Sequence, residues 1–140
     1  MSIKITSADK WFSWCVRERA NWTCERCGKQ YTPPTTALHC SHYVGRGNWS
    51  TRFEPLNAHA HCFGCHSVFE GDPYLFTEWV KDKINTDGFD ILIEKKEDPM
   101  IGKQMRHEVK EIAKHYKSEF NRMLKLRAQG ERGRIEFVGY

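Results

Sequence analysis

The sequence predicts an α+β domain: a zinc-stapled β-hairpin core, a leading helix before it, and a helical C-terminal region that includes a long amphipathic helix. Two observations predict this. Two Cys-x-x-C pairs, Cys24/Cys27 and Cys62/Cys65, enclose a stretch of short β-type runs broken by turn residues. Apolar residues at helical spacing precede that stretch and resume after it. The segments are a leading helix over 1–21, a zinc-bound core over 22–72 and a helical region over 73–140, forming one compact unit.

Residues 7–21 read as a helix, with Ser7 or Asp9 available as cap and Trp11, Trp14, Cys15 and Glu18 at helical spacing. Residues 22–65 carry Pro33-Pro34, Gly45 and Gly47, with β-type runs near 37–43 and 53–61, which reads as a short hairpin with a long irregular loop. Helical spacing returns over 74–85 through Leu75, Trp79 and Val80. The stretch 89–93 fits strand and helix equally, because Phe89, Ile91 and Ile93 alternate while Phe89, Leu92 and Ile93 share a helical face. The clearest helix is 103–127, where Met105, Val109, Ile112, Ala113, Tyr116, Phe120, Met123 and Leu124 form one apolar stripe. Such a stripe suits core packing or a homodimer seam. Residues 130–134 read as a flexible connection to the last few residues.

Composition bounds the function. The chain has 140 residues, 39% hydrophobic and 29% charged, which is globular and not disordered. No apolar run approaches the ~20 residues of a membrane span, and Met1 to Lys10 lacks the apolar stretch of a secretory signal, so a cytoplasmic protein is expected. The net charge of +4 is uneven: +3 over residues 1–70, −4 over 71–99 and +5 over 100–140. Basic charge therefore lies in the cysteine-bearing half and in the tail, which permits binding to nucleic acid.

Six cysteines in a reducing compartment point to metal ligation or buried thiols before disulfides. Cys24, Cys27, Cys62 and Cys65 can give one zinc ion four thiolates, a closed tetrahedral set that leaves no open position and makes the zinc structural. His59, His61 and His66 stand near the second pair as competing ligands, but four cysteines complete the count. Cys15 reads as a small core residue and Cys40 has no assigned role.

Between the two pairs lies a second constellation. Asn57 follows His42 by fifteen residues, and His66 follows Asn57 by nine, directly after Cys65. Hydrolysis of a phosphodiester needs a base for water, a cation at the scissile phosphate and donors for developing charge. Histidine suits the base, with an ordinary pKa of ~6.5. A second histidine held by the zinc knuckle can ligate the cation, and Arg46 and Arg52 lie in the loop where they could reach phosphate oxygens.

These segments resemble the HNH, or ββα-metal, endonucleases, in the zinc-knuckle subtype that includes phage endonuclease VII. They are most similar to the phage NinG family, also called Rap, of recombination endonucleases. The resemblance rests on Cys24-Glu25-Arg26-Cys27, on Cys40-Ser41-His42-Tyr43-Val44-Gly45-Arg46-Gly47, on Arg52-Phe53-Glu54-Pro55-Leu56-Asn57 and on His61-Cys62-Phe63-Gly64-Cys65. It extends from about Trp14 to about Leu126. It implies a ββα-metal core, His42 as general base, Asn57 bracing the hairpin and orienting His42, and His66 ligating a catalytic Mg²⁺ or Mn²⁺. Related HNH enzymes often carry Asp or His before the base and NinG-like chains commonly Gly; here Ser41 stands there. Either His39 supplies a ligand from the same side of the strand, or the ion is held by His66, substrate phosphate and water. His66 itself stands where that family commonly has Asn, and Glu70 is a further candidate near the site.

The expected function is metal-dependent cleavage of DNA, in branched recombination intermediates such as D-loops and Holliday junctions, within the host cytoplasm if the gene is a phage's. A homodimer along 103–127 would supply two active sites. Two rivals are a non-catalytic zinc-dependent DNA-binding module on a degenerate HNH scaffold and a sequence-specific HNH nuclease of restriction or homing type.

Overall fold

The computed structural model describes residues 3–140. Helix α1 spans Ser7–Arg19. Its N-cap is Thr6, and Asp9 closes a capping box: Asp9 N donates to Thr6 Oγ1 (3.2 Å) while Thr6 N donates to Asp9 Oδ2 (2.8 Å). The cap therefore lies one residue before Ser7, and Asp9 is its reciprocal partner. The helix stops at Ala20, and Asn21 and Trp22 take positive φ of 52° and 56°, which swings the chain into the first cysteine knuckle.

Strands β1 (Leu38–His42) and β2 (Ala58–Cys62) pair antiparallel, with Leu38 opposite Cys62, Cys40 opposite Ala60 and His42 opposite Ala58. Residues 53–57, expected as strand, instead form a turn and a 3-10 segment at Pro55–Asn57, because Pro55 has no amide hydrogen to give a ladder. Opposite partners share a face, so Leu38, Cys40, His42, Ala58 and Ala60 lie on one side of the hairpin, and His39, Ser41, His59 and His61 lie on the other. The first side carries the main core. Cys40 and Ala58 pack with Phe12, Cys15 and Val16 of α1 and with Ile112, Tyr116 and Met123. The second side is covered by helices α2 (Phe63–Gly71) and α3 (Pro73–Lys96), through Phe69, Phe76 and Val80.

Helix α3 absorbs the ambiguous stretch 89–93 as helix. It is kinked at Asn85 (φ 59°, ψ 175°), whose Oδ1 accepts from Gly88 N (3.0 Å) and so restarts the helix as a cap does. The expected single helix over 103–127 is two helices, α4 (Pro99–His107) and α5 (Val109–Ala128), meeting at Glu108. Each end has its own packing demand. Gly102 of α4 sits so close to the 48–50 loop that a Cβ there would lie 2.9 Å from Ser50 Oγ, while α5 turns its stripe onto α1. Ile112, Tyr116 and Met123 are fully buried in that contact. The buried part of the stripe is filled from within the chain, while Leu124 stays exposed. The tail after Gly130 is also part of the core: Ile135 and Phe137 are buried, and Tyr140 N donates to Tyr116 Oη (3.1 Å).

Candidate active site

The first knuckle is a tight turn in which Cys24 N donates to Lys29 O (2.8 Å) and Gly28 N donates to Cys24 O (2.9 Å), with Gly28 at a φ of 81° that favours glycine. It is stitched to β2, since Glu25 N donates to Ala60 O and Ala60 N donates to the Glu25 carboxylate, both at 2.8 Å. The second knuckle spans the end of β2 and the first turn of α2, where Cys65 N donates to Cys62 Sγ (3.4 Å). The four sulfurs of Cys24, Cys27, Cys62 and Cys65 all lie within 4.8 Å of one another. Cys27 Sγ and Cys62 Sγ are 3.8 Å apart, and a tetrahedron with ~2.3 Å zinc–sulfur bonds has edges of ~3.8 Å. The cluster fits a tetrahedral metal ion. Burial opposes ionisation of Cys24, yet backbone amides of Cys27, Cys62 and Arg26 outweigh it and bring the thiol down to about 7.

His59 and His61 do not join the cluster. They point under α2 and α3, with the His61 ring 5.0 Å from that of Phe69 and 4.7 Å from that of Trp79. His66, one turn into α2, is brought to His39: their Nδ1 atoms are 2.9 Å apart. Two ligands ~2.1 Å from one ion at right angles stand ~3.0 Å apart, so this pair fits adjacent positions on a single cation. The other ring nitrogen of His66, Nε2, lies 3.2 Å from Glu70 Oε1. Carboxylate contact of that kind fixes the tautomer of a metal-ligating histidine and leaves the opposite nitrogen free. Burial, then the neighbouring His66 and Arg17, hold His39 below the usual imidazole range, so its ring is neutral and able to ligate. Ser41 is fully buried opposite His59, and its Oγ has no partner. The structure joins His39, and not Ser41, to His66.

His42 lies on the opposite side of β1 from His39. Its Nε2 is 3.1 Å from Arg52 O, and its ring centroid is 5.9 Å from that of Phe12. The carbonyl can only accept, so Nε2 carries the proton and Nδ1 carries the lone pair. Burial, then Arg46, push the His42 pKa down to about 4. Asn57 is fully buried and makes no hydrogen bond to His42. Its Oδ1 accepts from Val44 N (2.7 Å), while Nδ2 donates to Val44 O (2.9 Å) and Thr51 O (3.0 Å), tying together both ends of the 44–57 loop.

Arg52 departs from expectation. It is buried and bidentate on Asp9, with Nε to Oδ1 at 2.9 Å and Nη2 to Oδ2 at 2.8 Å, and it stacks 4.3 Å from the Trp49 ring. Its guanidinium is committed to holding the loop on α1 and is not free for a substrate phosphate. Arg46 is different: half-buried, with no ion pair among the described residues and a buried Nε that has no partner. Two residues were not singled out from the sequence. Arg17 of α1 donates through Nε to Leu38 O (2.6 Å), the carbonyl just before His39. Asp9 reads only as a cap in the sequence. Glu70 carried a usable signal, its spacing of four from His66 in one helix.

A cysteine-knuckled hairpin followed by a helix, with helical extensions, is a ββα-metal-like module. The model of the family described as Bacteriophage Lambda NinG protein matches residues 4–126. The chain belongs to this NinG family of phage recombination endonucleases. No curated protein and no solved structure matches it. Among the described residues, no helix is long and apolar enough to cross a membrane.

Proposed function

We propose that the protein is a divalent-ion-dependent endodeoxyribonuclease acting on branched DNA, with a structural zinc in the four-cysteine cluster. The reading rests on one observation above others: the His39 and His66 Nδ1 atoms face each other at 2.9 Å beside that cluster. In this reading His39 and His66 hold the catalytic ion, and Glu70 orients His66. Two imidazoles favour Mn²⁺ over Mg²⁺, whose preferred ligands are oxygens. When bound, the ion supplies Lewis-acid stabilisation of the attacked phosphate and the leaving 3′ oxygen.

His42 takes the proton of the attacking water at Nδ1, because its Nε2 is occupied by the Arg52 carbonyl. Its low pKa keeps it neutral before attack. Arg46, whose charge contributes to that low value, would be neutralised by a substrate phosphate, and His42 becomes a stronger base once DNA is bound. A phosphodiester along the unpaired edge of β1 meets His42 from one face and His39 with His66 from the other. Asn57 acts through the loop that carries Arg46.

Support for branched DNA comes from the spread of basic residues. Lys110, Lys117 and Lys125 are exposed along α5, and Lys114 is exposed but paired with Glu111, so the helix offers phosphate contacts in addition to those of the hairpin. Arg122 is paired with Glu119 and adds less. A Holliday junction, a D-loop and a linear duplex of matched sequence, at fixed salt with added Mn²⁺, Mg²⁺ or neither, test the reading. Preferential cutting of the branched substrates with Mn²⁺ is expected. Equal cutting of all three means a general nuclease. Cutting at one sequence regardless of branching means a restriction or homing type, and binding without cutting under any ion means a DNA-binding module.

A further inference from the structure

Helix α1, helix α5 and the 21–34 loop meet around an open groove of about 570 Å³. Its floor is the buried ring of Trp22, and Trp14, Tyr31 and Phe120 stand half-buried along it. The rings run on beyond the groove in one row. Centroid to centroid, Trp22 lies 5.4 Å from Trp14, Trp14 lies 6.1 Å from Phe120, and Phe120 lies 5.9 Å from Trp11. Leu124 of α5, 43% exposed, adds an aliphatic edge. The polar groups beneath are spent within the chain: Trp22 Nε1 donates to the Glu18 carboxylate, and Arg127 donates through Nη2 to Glu18 O (2.8 Å) and through Nε to Glu18 Oε1 (3.3 Å). Ring faces are thus the contact surface, with the exposed amide side chains of Asn21 and Gln30 beside them.

Charge selects the occupant. Lys29 Nζ lies 5.2 Å from the Tyr31 ring centroid, and Lys10 and Lys117 place Nζ 4.9 and 5.6 Å from that of Trp11. These lysines are exposed, and the carboxylates that could neutralise them are already matched. In α1 and α5, Asp9 pairs with Arg52, Glu18 with Arg127, Glu111 with Lys114 and Glu119 with Arg122. In the 21–34 loop, Glu25 pairs with Lys83 and Arg134. An apolar peptide would cover the rings and leave the lysines unanswered, and the bases of a duplex are stacked on one another and cannot use the rings. A single strand of nucleic acid answers both, because unpaired bases stack on aromatic faces while the backbone follows the cations. The groove also adjoins the hairpin site: Trp14, Trp22 and Tyr31 pack with Leu38, the residue before His39.

We infer that this groove binds single-stranded DNA, stacking unpaired bases on Trp14 and Tyr31 with phosphates on Lys10, Lys29 and Lys117. The inference rests on the nuclease reading in naming the strand as DNA. It gives the unpaired strand of a branched substrate a contact beside the His39–His66 pair that a linear duplex lacks.

The test uses the full zinc-bound chain without added divalent ion. The probes are a fluorescent thymidine oligonucleotide, an abasic strand of the same length, and a duplex. The thymidine strand should bind roughly tenfold more tightly than the abasic strand, which keeps the phosphates and lacks the bases. Tyr31→Ala should weaken thymidine binding by roughly tenfold, and Tyr31→Trp should retain it. Leu124→Glu sets a negative charge at the groove and should weaken it as well, whereas Leu124→Lys should not. Duplex affinity should stay near wild type in all four variants. Lys29→Gln should lower the slope of log K against log salt by ~0.7 for the single strand. Melting temperature and zinc content report folding, and the exposed Leu124 pair decides the matter if Tyr31→Ala misfolds. Thymidine and abasic strands bound equally, or single-strand affinity unchanged in Leu124→Glu and in a folded Tyr31→Ala, overturn the inference. A chain that binds the strand through the groove yet cuts no DNA with Mn²⁺ or Mg²⁺ sinks the nuclease reading and leaves the groove standing. One that cuts branched DNA while binding both strands equally does the reverse.

Discussion

Replacing Arg52 by Met separates a structural ion pair from a phosphate ligand. The Arg52 and Asp9 side chains are 3% and 5% exposed. The substitution removes two charge-assisted bonds at 2.9 and 2.8 Å, a third to Lys4 O at 2.7 Å, and the stack on Trp49. It also leaves the Asp9 carboxylate buried with only its Thr6 donors. Breaking a buried pair by removing one partner costs about 3–5 kcal/mol, a large share of the ~5–15 kcal/mol that stabilises a domain. At roughly 3 °C per kcal/mol for a domain of this size, the melting temperature should fall by about 10–15 °C. Burial opposes the Asp9 charge, but the Arg52 and Thr6 hydrogen bonds prevail and hold its pKa below the usual carboxylate range. The pair's contribution is therefore present above that range and is lost as pH falls through the depressed value. Urea unfolding of Arg52→Met, Asp9→Asn and the double variant is the assay. The double variant should cost less than the sum of the singles, because no buried charge is left alone. If Arg52→Met unfolds within about 1 kcal/mol of wild type while DNA binding collapses, Arg52 is a phosphate ligand and the reasoning fails.

Other outcomes follow from the same geometry. Cys27→Ser should lose about one zinc per chain and unfold or aggregate the hairpin, read by metal analysis and circular dichroism; a folded, zinc-free variant would refute the structural role. His42→Ala should cut the cleavage rate by ~10²–10⁴ while DNA affinity stays near wild type, and a loss of only a few-fold would remove His42 as base. Glu70→Gln should weaken Mn²⁺ binding by roughly 10–100-fold in calorimetry, and unchanged affinity would mean that the carboxylate does not orient His66. Acidification should destabilise the fold: burial holds His59 well below 6.5 and His42 at about 4. The unfolded chain then binds more protons between about pH 4 and 6.5, and stability should rise with pH across that window, by up to about 3 kcal/mol for His42. A flat stability profile there would contradict the neutral, buried histidines.

What could be read before folding is what depends on local spacing. The two Cys-x-x-C pairs announce a four-thiol cluster, because each pair is a knuckle whose two sulfurs converge whatever surrounds it. The apolar stripe from Ile112 through Tyr116 to Met123 was legible for the same reason: helical period alone puts those residues on one face. The stripe's partner was not legible. Core and dimer seam have the same period, and only the fold shows that α1 covers Ile112, Tyr116 and Met123. The break at Glu108 was hidden because the apolar pattern runs through it, and only the approach of Gly102 to Ser50 requires α4 to turn away.

By itself the sequence determined the cysteine cluster, the hairpin and the helical segments, along with the short set of histidines and arginines from which a site could be built. Tertiary structure decided how that set divides. It gave Arg52 to Asp9, forty-three residues earlier, and joined His39 to His66 across the hairpin–helix boundary. It buried Ser41 and turned His42 to the opposite side of β1, with its tautomer set by a backbone carbonyl. Residue type states what a side chain can do. Which partner it meets depends on strand face, helix phase and long-range packing, and those are settled only when the elements close on one another.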